Sequence, residues 1–420
     1  MNKDFHYRNN DLYCESVRVK DIIAKVGTPA YIYSHSAFTG RLKELQKAFS
    51  AVKPLICYSM KANSNIAVLR SLVKQGSGLD IVSGGELERA KRAGCPGEKI
   101  VFAGVGKTNE EIAAAIRYGI LFFNVESLPE IAAINEVASK LKKKATISLR
   151  INPDVDPRTH RHISTGKKES KFGIDLLRAE KAFVTRSKYP YVNFAGLHVH
   201  IGSQIEIGEP FVDAFKKVTK FIADLKKDGV ELKFLNIGGG LGVTYHNEKP
   251  QKAADFAKKV APILKATGLK IIMEPGRFIS ANSGILAAKV IYIKETAVKN
   301  FAIIDAAMND LIRPSFYDAY HRIEPLKKNL RLKKVKYDVV GPVCESGDYL
   351  AKDRKLSELK RGDDIAVFSA GAYGYVMSSN YNTRGRAVEV LVKGSSFSIV
   401  KKRESVAELL AGEVIPAYLK

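Results

Sequence analysis

Lys61 sits in "ICYSMKANSN" (56–65), directly after a short apolar run and before small polar residues. An ammonium resists burial, so a structural lysine here points into water. Its chemical alternative is an amine held to form an imine with a carbonyl. Glu274 in "MEPGR" (273–277) also ends an apolar run, and Pro275 and Gly276 set a turn after it. Such a carboxylate either pairs with a neighbouring lysine or meets a protonated ring nitrogen, as pyridoxal phosphate requires. The glycines of "IGGGLG" (237–242) serve a tight strand-to-helix turn, or they let backbone N–H groups approach an anion. They lack the GxGxxG spacing and acidic partner of a dinucleotide site, which leaves a single phosphate as the better ligand. His200 in "HVHIGSQ" (198–204) is either a satisfied core histidine or a flat ring stacked on a cofactor. An imine-forming lysine, a phosphate cradle and a carboxylate for a ring nitrogen together describe a pyridoxal 5′-phosphate site. The combination is far more specific than its parts.

These residues need a scaffold that brings distant strand ends together. Strand-like runs begin near Leu55, Gly78, Lys99, Leu121, Ala145, Val192, Leu232 and Leu269. The first five lie roughly 21 to 24 residues apart, the length of one compact βα unit. Phe38, Leu42, Leu45 and Phe49 form an apolar helix stripe before the first strand. Ser127 with Glu130 and Thr108 with Glu111 have capping-box spacing, and Gly94 and Gly119 stand where helices should stop. The pattern suggests a (β/α)8 barrel of the TIM type, although a doubly wound sheet shares it locally. Barrel chemistry belongs at the C-terminal ends of strands, and Lys61, "HVHIGSQ", "NIGGGLG" and "MEPGR" all fall there. The long polar stretch "NPDVDPRTHRHISTGKKESKFGI" (152–174) follows the fifth strand and reads as a lid or specificity loop on that face.

After Arg277 the rhythm changes to strands with short connections: "ILAAKVIYIKE", "KNFAIIDA", "KYDVVGP", "DDIAVFSA" and "RAVEVLVKG". This predicts an all-β C-terminal domain, a barrel or sandwich. The expected division is an N-terminal segment 1–34 associated with the β-domain, a cofactor-binding barrel over 35–277, and the β-domain over 278–420. "PAYIYS" (29–34) is strand-like but outside the barrel count, and either joins the β-domain's sheet or bridges the domains.

The remaining composition narrows the class. Four scattered cysteines without CxxC spacing argue against a disulfide framework or zinc knot and fit a reducing cytoplasm. No stretch reaches the apolar length of a membrane span, and "MNKDFHYRNNDLYC" has no secretory character. A net charge of +24 raises nucleic acid as a partner. The lysines are dispersed, however, in groups such as "KLKKK" (140–144), "FKKVTK" (215–220) and "LKKNLRLKKVK" (326–336), with no RNP, KH or zinc-finger pattern. Solubility and substrate steering are the better reading, with no nucleic acid and no membrane as partner.

The residues also carry a resemblance. "YSMKANSN", "HVHIGSQI", "GGGLGVTY", "EPGRFISANSGIL", "DAAMNDLIRPSFY", "GPVCESGD" and "GAYGYVMSSNYNTR" resemble, in order from about Thr28 to Leu391, the motifs of the diaminopimelate decarboxylase family. Only Phe316 departs, in a slot that often holds leucine. The resemblance implies an alanine-racemase-like barrel with a C-terminal β-domain, a homodimer, and conversion of meso-2,6-diaminopimelate to L-lysine and CO2. It implies that Lys61 carries the cofactor and His200 stacks on its ring. Gly239, Glu274 to Arg277 (Gly276 included) and Tyr373 would surround the phosphate, with Ser203 a weaker candidate, and Glu274 would hold the ring nitrogen. Arg277, Arg313, Tyr317, Glu345 and Tyr373 would meet the substrate, and Cys344 would donate a proton. Arginine suits a distal carboxylate, Glu345 a distal ammonium, and a thiol is a suitable acid toward a carbanion.

The competing enzyme reading is a related decarboxylase of ornithine, arginine or a D-amino acid, whose substrates lack or misplace the distal carboxylate that "NDLIRPSFY" suits. An alanine racemase would need a base on each face and a small pocket. A non-catalytic cofactor carrier has no use for Cys344 and a charged clamp. A basic binding module would show steep salt dependence and no chromophore.

Overall fold

The structure, a computed structural model, describes residues 4–155 and 171–419. The chain divides into two compact units, Met1–Phe38 with Ser280–Lys420, and Thr39–Ile279.

The first unit begins with three short antiparallel strands, β1 (Phe5–Arg8), β2 (Asp11–Cys14) and β3 (Val17–Arg18), which form their own sheet. Strand β4 (Ala30–Ser34) is wholly buried. Sequence periodicity gave no sign of β1–β3, because each is only two to four residues long.

The second unit is a closed barrel of eight parallel strands, β5 (Leu55–Ser59), β6 (Gly78–Ile81), β7 (Ile100–Phe102), β8 (Phe122–Val125), β9 (Ala145–Arg150), β10 (Val192–His198), β11 (Phe234–Asn236) and β12 (Lys270–Met273). This is the (β/α)8 architecture expected from the strand spacing, and helices separate successive strands. The stripe Phe38, Leu42, Leu45 and Phe49 is buried. Thr108 and Glu111 close a complete capping box, and Gly119 ends that helix in the left-handed conformation at φ 74°. The second box does not close. Ser127 caps its helix, but the Glu130 carboxylate turns instead to the Glu126 N–H and the Lys107 ammonium.

The barrel's interior changes character along its axis. Cys57, Val101, Phe122 and Ile272 form an apolar cluster with Leu55, Leu121 and Phe234. Side chains alternate along a strand, so the residue two positions further on shares the same face. That step leads from Cys57 to Ser59, Phe122 to Asn124, Phe234 to Asn236, and Ile272 to Glu274. An apolar plug therefore gives way to a polar layer at the strands' C-terminal ends.

The chain re-enters the first unit as β13 (Gly284–Glu295), β14 (Asn300–Ile304), β15 (Ile323–Pro325), β16 (Lys334–Val340), β17 (Tyr349–Ser357), β18 (Asp364–Val367), β19 (Val388–Lys393) and β20 (Ser396–Lys401). The main sheet runs β17-β16-β14-β13-β4-β19-β20, while β18 pairs with both β13 and β15. Strand β4 thus lies inside this sheet, antiparallel to β13 and parallel to β19.

Candidate active site

Lys61 lies in the short 3-10 turn Met60–Ala62 that leaves β5. Its Nζ stands 3.8 Å from Oδ2 of Asp80, which is fully buried at the end of β6 and also accepts a short hydrogen bond from the Ser59 hydroxyl. Among the described residues, Oδ1 of Asp80 has no hydrogen-bond partner. Burial first, and the charge of Glu274 second, push the Asp80 carboxyl up to about 8 despite the nearby ammonium.

Glu274 follows β12 and is buried. Its Oε1 accepts from the amides of Asn124 at 2.7 Å and Asn236 at 2.6 Å, and its Oε2 stands 3.2 Å from Nε2 of His198. That last contact has the distance of an ion pair without a hydrogen bond's alignment. Burial alone would raise the carboxyl. The charge of His198, the Asn236 amide and the Lys61 ammonium outweigh it and hold Glu274 well below the usual carboxylate range. Its surroundings thus favour the anionic form of Glu274.

His200 behaves in the opposite way. Burial, and then the charges of Arg150 and Lys61, hold its imidazole well below its ordinary value, so the ring is neutral. Its Nδ1 accepts from the Gly239 N–H at 3.2 Å, which leaves the ring proton on Nε2. The glycine run makes this approach possible. Gly238 and Gly240 have φ of 65° and 108°, and a Cβ at Gly238 would stand 2.6 Å from the Val199 carbonyl oxygen. A Cβ at Gly239 would collide with the Glu274 carbonyl oxygen. The N–H groups of Gly238 and Gly239 are engaged by Asn236 and His200, so this turn also works by close approach between strand ends.

Arg277 and Ser203 meet. The buried guanidinium donates to the Ser203 hydroxyl through Nε at 3.3 Å and Nη2 at 3.2 Å, and to the Tyr245 hydroxyl through Nη1 at 2.9 Å. Gly276, just before it, lies so near Ser59 and Ala62 that a Cβ would stand 3.1 Å and 3.2 Å from their Cβ atoms. The barrel thus gathers Lys61, His200, Ser203, Gly239, Glu274, Gly276 and Arg277 on strand ends and the turns that follow them.

Sequence reasoning missed the polar layer itself: Asp80, Asn124, Arg150, His198 and Asn236, all buried. Arg150 pairs with Glu126 at 2.7 Å, and Glu126 also accepts from Gly173 N–H at 2.9 Å. The available signal was a single polar residue at or next to the C-terminal end of β6, β8, β9, β10 and β11. The proposed lid falls largely on 156–170, outside the described residues.

Cys344, Glu345, Arg313, Tyr317 and Tyr373 belong to the other unit. Asp348 shapes the turn that carries Cys344 and Glu345, accepting from Met308 N–H at 2.7 Å and Val343 N–H at 2.8 Å. Asn382 accepts from Cys344 N–H at 2.8 Å. Ser315, in the helix Arg313–Tyr317, ties that helix to the same turn by donating to the Gly347 carbonyl at 2.6 Å. Cys344 is exposed, whereas Cys14, Cys57 and Cys95 are buried. Burial raises the thiols of all three, Cys95 to about 12. Tyr373 holds φ at 55°, an uncommon conformation for a bulky side chain. Among the described residues, no cluster of His, Cys, Asp and Glu could hold a metal ion, and no helix is long and apolar enough to cross a membrane.

Residues 36–281 match the family described as pyridoxal-dependent decarboxylase, pyridoxal binding domain. A diaminopimelate decarboxylase of Aquifex aeolicus is 48% identical over 408 residues, covering 96% of each chain. The crystal structure of diaminopimelate decarboxylase from Helicobacter pylori complexed with L-lysine is 42% identical with a TM-score of 0.90, covering 94% of this chain and 98% of that one. The enzyme from M. jannaschii in co-complex with L-lysine is 38% identical with a TM-score of 0.95, covering 100% and 99%.

Proposed function

The chain belongs to the diaminopimelate decarboxylase family of pyridoxal-dependent enzymes, and on that footing we propose how its residues divide the work. The reaction converts meso-2,6-diaminopimelate to L-lysine and CO2, the last step of lysine biosynthesis, with pyridoxal 5′-phosphate as cofactor.

The observation that carries the reading is the buried Glu274 carboxyl, pinned at one oxygen by two amides and held toward its anionic form. A carboxylate kept ionised in a buried site fits a protonated pyridine nitrogen, and a neutral, flat His200 fits the face of the same ring. The Lys61 amine and the Arg277–Ser203 pair supply what the carbonyl and phosphate ends need. When bound, pyridoxal phosphate supplies the electron sink that accepts the electron pair left by departing CO2.

Lys61 holds the cofactor's carbonyl end, with Asp80 beside its amine. Glu274 would keep a proton on the ring nitrogen, and His200 would pack against the ring. Ser203, Gly239, Gly276, Arg277 and Tyr373 hold the phosphate. Cys344 gives its thiol proton to the carbon that has lost CO2, becomes a thiolate, and recovers a proton from water. Arg277, Arg313, Tyr317, Tyr373 and Glu345 hold the end of the substrate that does not react, guanidinium to carboxylate and carboxylate to ammonium. The assembly is a two-fold dimer with shared sites, working in a cytoplasm that keeps Cys344 reduced.

Purified protein loaded with pyridoxal phosphate and given meso-diaminopimelate should release CO2 and L-lysine in equal amounts. Faster turnover of ornithine or arginine would replace this reading with the competing decarboxylase.

A further inference from the structure

The assignment of Arg313 to the substrate's distal carboxylate raises the question of what fixes its guanidinium. Arg313 is 6% exposed at the start of its helix. A long side chain with several rotatable bonds needs acceptors to set the plane of its fork.

One acceptor is His321, which is fully buried. Arg313 Nη1 stands 3.0 Å from His321 Nε2, and His321 Nδ1 stands 2.8 Å from the Phe368 carbonyl oxygen. A carbonyl only accepts, so Nδ1 carries the ring proton. A guanidinium only donates, so Nε2 offers its lone pair. Both bonds demand the same neutral tautomer, and a second ring proton would set N–H against N–H.

The far end of this relay is rigid. Phe368 donates its N–H to the Arg322 carbonyl at 2.8 Å, and the Arg322 guanidinium lies 3.8 Å from the centre of its ring. It directly follows β18, which β13 and β15 hold on either side. The sheet therefore positions a carbonyl, the carbonyl orients an imidazole, and the imidazole meets the guanidinium.

We propose that His321 is a positioning residue for substrate selection, holding Arg313 as a fixed fork toward the carboxylate at the non-reacting end. The inference rests on the reading of Arg313 given above. The product L-lysine keeps that same carboxylate, so its binding reports on Arg313 without any chemistry.

His321→Gln and His321→Asn holoenzymes separate positioning from simple support. Glutamine can bring its carbonyl oxygen near the place of Nε2 and still accept from Arg313. Asparagine reaches only about as far as Nδ1 and serves Phe368 alone. His321→Asn should raise both the KM for meso-diaminopimelate and the inhibition constant of L-lysine by roughly 10- to 100-fold, with smaller change in kcat and unchanged cofactor absorbance. His321→Gln should stay within about threefold, less than the loss of one hydrogen bond to a charged group. Equal effects of the two variants, or losses confined to kcat and cofactor content, would overturn the proposal.

Arg313→Ala measured alongside separates the substrate role of Arg313 from the positioning role of His321. If it leaves both constants unchanged, the substrate role of Arg313 fails and the positioning role falls with it. If it raises them while His321→Asn does not, only the positioning role fails. Ring ¹⁵N spectra of histidine-labelled wild-type protein, assigned by difference with His321→Gln, need no destabilised variant. They should show the Nδ1–H tautomer at His321, and an Nε2–H or doubly protonated ring overturns the relay.

Discussion

Asn236 holds its side-chain amide 2.6 Å from Oε1 of Glu274, across 38 residues of chain and the gap between adjacent barrel strands. The bond favours the anion, so Asn236→Leu should raise the Glu274 carboxyl and shift the acid limb of the pH–rate profile upward. A hydrogen bond to a charged group is worth about 1.5–3 kcal/mol, which predicts a loss in kcat/KM of roughly 10- to 100-fold. A profile whose acid limb stays in place would show that the amide does not control this charge.

Asp80 predicts a stability profile in the cofactor-free protein. Its folded-state value, about 8, lies above the unfolded value of about 3.9. The native state therefore retains a proton that the unfolded chain has lost. The group's contribution is fully present below about pH 3.9 and is lost as pH rises through about 8. Thermal midpoints of wild type should fall across that window relative to Asp80→Asn. Parallel curves for the two proteins would contradict the burial of an uncharged carboxyl at this position.

Gly239→Ala should weaken cofactor binding more than it weakens the fold. The added methyl meets the carbonyl oxygen of Glu274, backbone that cannot swing aside, and disturbs the N–H that orients His200. We expect at least about a tenfold rise in the pyridoxal phosphate dissociation constant, since one misplaced charged contact is worth that much. Retained affinity, read from cofactor absorbance during dialysis, would show that the turn tolerates bulk.

The proposed shared-site dimer has its own signature. Lys61 belongs to the barrel and Cys344 to the other unit of the chain. When Lys61→Ala and Cys344→Ala proteins exchange subunits at equal amounts, each heterodimer should contain one doubly damaged and one intact site. Activity should return to roughly a quarter of wild type. Tagged heterodimers that form yet remain at parental background would place both groups of a site on one chain.

The barrel was legible because two periodicities announce it: strand-like runs at regular spacing, and helix caps such as Thr108 with Glu111 between them. The residues at strand ends were legible in part. Lys61, Glu274 and the glycine turn stand out as abrupt changes after apolar runs. Asp80, Asn124 and Asn236 do not, since each is a single polar residue whose partner is remote. Asn124 finds Glu274 across 150 residues, a pairing that barrel closure alone creates. His321 was hidden for a related reason. Its meaning depends on the Phe368 carbonyl, and a backbone acceptor leaves no mark in the sequence.

The place of β4 within its sheet has a consequence for biosynthesis. Ala30–Ser34 leaves the ribosome well before both of its sheet neighbours, β13 and β19, the latter at Val388–Lys393. At ordinary elongation rates of about 5–20 residues per second, this fully buried strand waits on the order of tens of seconds for its second partner. Throughout that interval the nascent chain displays an apolar segment whose backbone donors and acceptors are unpaired along at least one edge, while the entire barrel is translated behind it. The nascent protein must therefore shelter β4 until β19 emerges, and premature termination before Val388 would release a chain with β4 open along at least one edge.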